Sequence, residues 1–264
     1  MIRLFVFIIV LMVAFAINAS NNRIIIASTT STYDSGLLTY LNNIFESEHN
    51  IEVQVLSLGT GQALRAGQDG NVEILLVHHT PSEINFVKNN YGTIRYKLMY
   101  NDYVLIGPKN DYKTCVNISN KLNYIKSNFL TFISRGDDSG THEKEKELWK
   151  LLDLETKNFG SWYFEIGQGM GSAILMANEK FGYAISDRST WVTHNKKNNL
   201  KIICENFKSL FNQYGLILIS KSINEKLNIN MAKIYINWLI SDEGKRLINS
   251  YKKNGSQLFF YNHH

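Results

Sequence analysis

The chain has 264 residues, of which 44% are hydrophobic and 19% charged, and its formal net charge is +5 at pH 7. These values predict a globular protein of one large or two small domains, long enough to bury a sizeable core. The positive charges are spread along the chain, and no basic stripe is interleaved with aromatic residues, which argues against nucleic acid as a partner. Mild basicity fits attraction of an anionic ligand or an anionic membrane surface.

The first 19 residues have the three parts of a secretory signal. Arg3 supplies a positive charge, an unbroken apolar run extends from Leu4 to Ile17, and small residues follow. The run is short for a transmembrane helix, which needs about 20 apolar residues. We therefore predict a signal peptide at 1–19, cleaved after Ala19 or alternatively after Ala16. An uncleaved N-terminal anchor is the other interpretation.

Short apolar strands alternate with amphipathic helices through the next part of the chain. Strands are predicted at Arg23–Ala27, Ile51–Leu56 and Ile74–Val77. Apolar residues at helical spacing predict a helix over Leu37–His49, and a further short helix opens at Gly59. This order predicts a doubly wound α/β sheet.

A second α/β unit follows. It has predicted strands at Leu130–Ile133, Trp162–Ile166 and Tyr183–Ser186, and predicted helices at Glu143–Leu152 and Ser172–Lys180. The alternation of strand and helix again favours a mostly parallel sheet.

Two further strands join these units, which predicts two lobes connected by two crossing segments. The crossings are expected near Tyr103–Gly107 and Gly215–Ile219. One lobe would comprise 20–103 and 218–264, including a helical tail, and the other 104–217. A cleft between two such lobes is a natural site for a small ligand.

Three segments share one arrangement, in which a strand runs into a turn rich in hydroxyl groups or glycine and then into a helix. They are Ser28–Thr32, Ser57–Gly61 and Ser134–Thr141. Helix N-termini offer unpaired N–H groups, glycine allows close approach of the backbone, and hydroxyls add donors. With Arg135 as a charge-assisted donor, these segments predict an anion site. For any single hydroxyl, simple capping of the helix is the alternative.

Other motifs point less clearly to a function. The turn Gly167–Gly171 is a candidate fourth wall of the site, and it resembles a dinucleotide loop only superficially. Ser139 close to His142 suggests a hydrolase, but no Gly-x-Ser-x-Gly motif accompanies them. The pair His78–His79 after a buried strand suggests a metal, yet further ligands are not evident, and loop histidines are the favoured interpretation.

The two cysteines, Cys115 and Cys204, lack the short spacing and the nearby histidines of a zinc site. Export would make a disulfide between them permissible, and two buried thiols are the alternative. No metal and no cofactor follow from these patterns.

The chain resembles the tungstate-binding periplasmic proteins of tungstate ABC importers, which have the type II periplasmic-binding-protein fold. The resemblance spans nearly all of the mature chain, and the string from Arg135 to His142 is its most specific part. The matching segments are Ser28–Thr32, Ser35–Leu38, Gly59–Leu64, Leu75–His78, Met99–Tyr103, Phe132–His142, Gly167–Gly171 and Tyr214–Gly215.

The resemblance implies a two-lobed α/β protein that binds tungstate in the interlobe cleft and delivers it to the permease subunits of the importer. It implies a periplasmic monomer without catalytic residues, metal or cofactor. The ligand residues that it implies are Thr30, Ser31, Thr60, Arg135, Ser139, Thr141, Met170 and Gly171. Ser28 stands where a third threonine is common, but the hydroxyl is kept.

Other ligands remain open on the chemistry of the residues. The same fold can bind molybdate, phosphate or sulfate. Phosphate carries a proton near neutral pH and gains from an acceptor carboxylate, for which Glu73, Asp137 and Asp138 are the candidates. A secreted hydrolase that uses Ser139 and His142 is the interpretation from a different functional class.

Overall fold

The computed structural model describes residues 22–264, so the predicted signal peptide lies outside the described residues. The strands are β1 Arg23–Thr29, β2 Glu52–Leu58, β3 Ile74–Val77, β4 Gly92–Pro108, β5 Phe132–Ser134, β6 Tyr163–Glu165, β7 Ala184–Asp187, β8 Leu200–Cys204, β9 Phe211–Ile219, β10 Lys252–Lys253, β11 Ser256–Gln257 and β12 Phe260–Tyr261. The helices are α1 Thr30–Asp34, α2 Leu37–His49, α3 Thr60–Gln68, α4 Thr80–Lys88, α5 Ile118–Ser127, α6 Gly140–Lys150, α7 Met170–Lys180, α8 Arg188–Thr193, α9 Ile229–Leu239 and α10 Asp242–Ser250. Within this range, none of the helices combines the length and apolar character that a membrane span requires.

The first lobe is built on a mixed sheet with the strand order β12-β4-β9-β3-β1-β2. Strand β1 runs parallel to β2 and β3, whereas β9 runs antiparallel to β3 and β4. Helix α2 packs on this sheet because its apolar residues recur at helical spacing and all lie inside, as Leu38, Leu41 and Phe45 show. The C-terminal helices α9 and α10 add Tyr235 and Leu247 to the same core.

The second lobe continues from the same long strand β4. Beyond Asp102, β4 pairs with β7 and β8, and β5 pairs in parallel with β6. Phe132 of β5 also forms a parallel bridge with Tyr183, just before β7. The core of this lobe contains Phe132 and Trp149. Cys115 and Cys204, whose state the sequence leaves open, form a disulfide with a Cα–Cα distance of 5.6 Å.

The chain returns to the first lobe earlier than the expected crossing at Gly215–Ile219. Leu210 lies in the core of the second lobe, whereas Tyr214 and Leu216 lie in that of the first. Strand β9 pairs with β3 from Gly215 to Leu218 and with β4 from Phe211 onward. The return crossing therefore lies just before β9, because that strand pairs with β4 of the first sheet from Phe211 onward.

Candidate oxyanion-binding site

Four helices begin directly after the turns in which the sequence predicts anion contacts. The Thr29 hydroxyl caps α1 by accepting from Thr32 N at 3.4 Å, and Ser139 caps α6. Gly59 and Gly169 precede α3 and α7 without a side-chain cap. First-turn N–H groups have no partner within their helix, so the ends of α3, α6 and α7 present donors and partial positive charge. Helix α1 has only five residues, so its hydroxyl groups rather than a dipole are its contribution.

The two lobes meet at two of these segments. Gly140 N, the first N–H of α6, donates to Thr60 Oγ1 at 3.2 Å, and Thr60 is only 3% exposed. Because the Thr60 oxygen accepts this bond, its own O–H remains able to donate elsewhere. Helix α1 of the first lobe also contacts α8 of the second. The interlobe boundary therefore runs through the predicted ligand segments.

Arg135 begins the turn between β5 and α6, and it is only 5% exposed. Its guanidinium donates from Nε and Nη2 to Asp137 Oδ2, at 3.2 and 2.6 Å. The other carboxylate oxygen of Asp137 accepts from Ser139 N at 3.3 Å. Gly136 has a φ of 61°, which lets the chain turn back so that Arg135 and Asp137 meet. Asp137 thus orients the arginine and leaves the remaining N–H groups of the guanidinium available.

The buried hydroxyl groups differ in whether they have hydrogen-bond partners within the protein. Ser31 Oγ lies 3.3 Å from Thr29 Oγ1, which also lies 2.7 Å from Thr32 Oγ1. Thr141 Oγ1 is buried and has no hydrogen-bond partner among residues 22–264, and the same holds for Ser134 Oγ. A buried hydroxyl without a partner is costly, and such groups occur where a ligand completes the set of hydrogen bonds.

The remaining predicted ligand residues are placed differently. The Met170 side chain is 3% exposed and packs in the core of the second lobe with Ile106 and Ile174, so only its backbone N–H at the start of α7 suits ligand contact. Gly171 is partly exposed, and a Cβ there would lie 3.8 Å from His194 Nδ1. Thr30 is half-buried as the first residue of α1. No direct hydrogen bond among residues 22–264 joins these three to Arg135.

A buried histidine at the end of β3 belongs to this region, although the sequence favoured a loop histidine over a metal ligand at this position. His78 Nδ1 lies 2.9 Å from Tyr103 Oη and 3.0 Å from Asn212 Oδ1. Burial lowers the pKa of His78 to about 4, although the negative charge of Asp187 opposes the shift. The imidazole is therefore neutral near neutral pH. Among residues 22–264, no group of three or more His, Cys, Asp or Glu side chains is arranged for a metal ion.

Asp187 is a second residue that sequence reasoning missed. Its carboxylate is completely buried and caps α8. It accepts from Thr190 N at 2.8 Å, from Thr190 Oγ1 at 2.7 Å and from the Ser189 hydroxyl. The sequence could have indicated this role, since an aspartate between a strand and a helix, followed by hydroxyl residues, is a typical N-cap.

Comparison with known proteins decides the family. Residues 16–243 match the model of the PBP superfamily domain. The chain is 42% identical to the tungstate-binding protein TupA of Peptoclostridium acidaminophilum over 243 residues, which cover 89% of this chain and 84% of that protein. The chain belongs to the TupA family of the PBP superfamily.

Two solved structures of this family have the same fold. The TupA structure from Desulfovibrio alaskensis G20 is 38% identical, with a TM-score of 0.80, and the match covers 92% of this chain and 99% of that one. The tungstate ABC transporter structure from Geobacter sulfurreducens is 39% identical, with a TM-score of 0.79, and the match covers 87% of this chain and 98% of that one. The expected α/β periplasmic-binding fold is thereby confirmed.

The carboxylates considered as acceptors for a protonated ligand are all engaged elsewhere. Glu73 accepts from Ile25 N at 2.7 Å and from Asn228 N at 3.1 Å, so it joins parts of the first lobe. Both oxygens of Asp137 accept from its own turn. The Asp138 side chain is 85% exposed. The TupA-like turns thus bring together mainly hydrogen-bond donors.

The hydrolase arrangement does not form. Ser139 Oγ accepts from the backbone N of His142 at 3.3 Å, as a helix cap does. The His142 ring instead accepts from Asp138 N through Nδ1 at 3.1 Å, and within residues 22–264 its Nε2 has no partner. The related TupA proteins are named for binding and transport, not for catalysis.

Proposed function

We propose that this chain is the substrate-binding protein of an ABC importer, which binds tungstate between its lobes and delivers it to the membrane permease. The observation that carries the proposal is the unpartnered, buried hydroxyl of Thr141 at the start of α6, on the turn that Arg135 begins. The relationship to TupA proteins supports tungstate as the ligand. In this proposal the mature protein is a periplasmic monomer that performs no chemical step.

The proposed mechanism is closure of the lobes around a dianion. Burial of an anion is costly unless hydrogen-bond donors replace its water. Arg135 supplies a charge-assisted donor, Thr60 and Thr141 supply hydroxyl groups, and the first turns of the helices supply N–H groups. Closure forms the bond between Gly140 N and Thr60 Oγ1, which joins the lobes directly beside these donors.

Tungstate and molybdate have equal charge and similar size, so the donor set supports both. Phosphate is less favoured because the two candidate acceptors already have structural partners: Glu73 accepts from backbone N–H groups of the first lobe, and Asp137 accepts from Arg135. Sulfate, which is fully deprotonated, is separated from tungstate by size rather than by hydrogen bonding.

Calorimetry of residues 20–264 with tungstate, molybdate, phosphate and sulfate tests the proposal. We expect tungstate to bind much more tightly than phosphate. The variant Arg135→Gln should weaken tungstate binding about 100-fold, because about 3 kcal/mol of charge-assisted bonding is lost. The control Arg246→Gln removes an arginine that is 63% exposed and should change nothing. Tungstate binding no tighter than phosphate, or full affinity in Arg135→Gln, would overturn the proposal.

Export is tested separately. Expression of the whole chain in a Gram-negative host should give a periplasmic protein whose N-terminus begins after Ala19 or Ala16. A protein that keeps residues 1–19 and sediments with membranes would favour the anchor instead.

A further inference from the structure

A cluster of three buried polar side chains lies close to where the chain passes between the lobes. His78 from the end of β3, Tyr103 from β4 and Asn212 from β9 are each at most 5% exposed. His78 Nδ1 lies 2.9 Å from Tyr103 Oη and 3.0 Å from Asn212 Oδ1. His78 thereby contacts both β4, which continues into the second lobe, and the start of β9, which follows the return crossing.

Further bonds fix the orientation of this cluster. Asn212 Nδ2 donates to Asn101 Oδ1 at 2.7 Å, and Asn101 lies opposite Asn212 in the pairing of β4 with β9. In this arrangement the Asn212 oxygen faces His78 Nδ1 and accepts a hydrogen bond in the tautomer that carries its proton on Nδ1. The Tyr214 ring lies against the imidazole, with 4.8 Å between centroids. The imidazole is thus held by contacts with Tyr103, Asn212 and Tyr214.

The imidazole also lies against the first residue of α6. A Cβ on Gly140 would be 3.2 Å from His78 Cε1 and 3.4 Å from His78 Nδ1. Tyr103 Oη lies 3.5 Å from the Gly140 carbonyl oxygen. The same glycine donates its N–H to Thr60. The start of α6 thus rests on His78 and Tyr103.

We propose that His78 is a positioning residue, which sets the start of α6 against the first lobe when the lobes close and so slows release of the ligand. The proposal rests on the proposed function. In this proposal the lobes rotate about the segments that connect them, β4 and the residues just before β9, and His78 contacts β4, the start of β9 and α6. Opening therefore breaks the contact of His78 with Gly140, whereas the bond to Asn212, which lies on the side of the first lobe, persists.

Stopped-flow measurement of tungstate dissociation from full-length mature protein tests the role. His78→Phe keeps a ring and removes the polar contact, and it should speed dissociation about tenfold with little change in association. His78→Asn places a donor near the position of Nδ1 and should recover part of the loss. Tyr103→Phe removes only the hydroxyl. When Tyr103→Phe is combined with His78→Phe, the effects on tungstate affinity should be non-additive, because the His78 imidazole and the Tyr103 hydroxyl share one hydrogen bond.

The control is His49→Asn, an exposed histidine on α2 of the first lobe, which should leave both rates unchanged. If the wild-type protein fails to bind tungstate, the proposed function is wrong, and the role of His78 that depends on it is wrong as well. If it binds and His78→Phe releases tungstate at the wild-type rate, the positioning role is wrong. Additive effects, or a loss that follows the melting temperature in every variant, would also overturn it. Should His78→Phe fail to fold, His78→Asn and Tyr103→Phe decide the question by the same rates.

Discussion

A single methyl group at Gly140 should separate the effects of closure from those of stability. In the variant Gly140→Ala, the new Cβ would lie 3.1 Å from Thr60 Oγ1 and 3.2 Å from His78 Cε1. Relief of these contacts requires a movement of a few tenths of an ångström. That movement lengthens the hydrogen bond from Gly140 N to Thr60 Oγ1, now 3.2 Å, beyond the range in which such bonds are effective.

The expected cost falls on the closed form alone. Loss of one buried interlobe hydrogen bond is worth about 1 to 1.5 kcal/mol, which corresponds to roughly tenfold weaker tungstate binding. In the open form the same methyl group meets no neighbour from the other lobe. There, alanine favours the first turn of α6 by up to about 1 kcal/mol relative to glycine. Binding should therefore weaken while the free energy of unfolding without ligand stays equal or rises.

Calorimetry with tungstate and urea unfolding of the ligand-free protein measure the two effects. Gly160→Ala is the control, because a Cβ there would lie 3.7 Å from Trp162 Cδ1, an ordinary contact. Small-angle scattering with saturating tungstate should show a slightly larger radius for Gly140→Ala than for the control. Wild-type affinity in Gly140→Ala would refute the reasoning that this glycine is a close contact of the closed form.

Three further variants test other parts of the argument. Thr141→Val replaces an unpartnered buried hydroxyl with a group of the same shape. Urea unfolding should show equal or greater stability, and calorimetry should show about tenfold weaker tungstate binding. Lower stability of the variant would contradict this prediction. Replacing Cys115 and Cys204 with serine should lower the free energy of unfolding by about 2 to 4 kcal/mol, because the disulfide closes a long loop within the second lobe. The affinity for tungstate should not change, and an altered affinity would contradict this prediction. Burial raises the pKa of Glu145 from 4.5 to about 7, so the unfolded chain ionises first and stability falls as pH rises from about 4.5 to about 7. In Glu145→Gln this fall, up to about 3 kcal/mol, should disappear from urea melts taken across that range; an unchanged slope would refute it.

Local patterns predicted much of the fold. The helix Leu37–His49 and the strand Ile74–Val77 have the bounds that the sequence predicts, because apolar periodicity and β-branched runs are local signals. The helix after Gly59 begins where the sequence predicts it, because capping is also local, whereas the helix predicted from Glu143 begins earlier, at Gly140. The two-lobed fold followed from the order of these elements and from the family resemblance.

Features that depend on distant residues were not predictable in the same way. No clear periodicity of apolar residues marks helix α4 at Thr80–Lys88 or the first half of β4, because residues on both faces of these elements are partly buried. The position of the return crossing depends on which strands β9 joins, and the disulfide depends on the meeting of α5's preceding loop with β8. The bond between Thr60 and Gly140 joins residues 80 positions apart, which no local pattern encodes.

The placement of Asp187 bears on the choice of ligand in a way that its sequence position did not reveal. A buried carboxylate near an anion site would suit a protonated ligand if one of its oxygens were free to accept. In this structure Oδ1 accepts from the Ser189 hydroxyl and Thr190 N, and Oδ2 accepts from Thr190 Oγ1, so the carboxylate is held in the cap of α8. The negative charge of Asp187 opposes the lowering of the His78 pKa by burial, so Asp187 lies within electrostatic reach of His78. Asp187 is therefore oriented by the cap of α8, and the preference for a fully deprotonated anion depends on the donor-rich turns at Arg135 and Thr141.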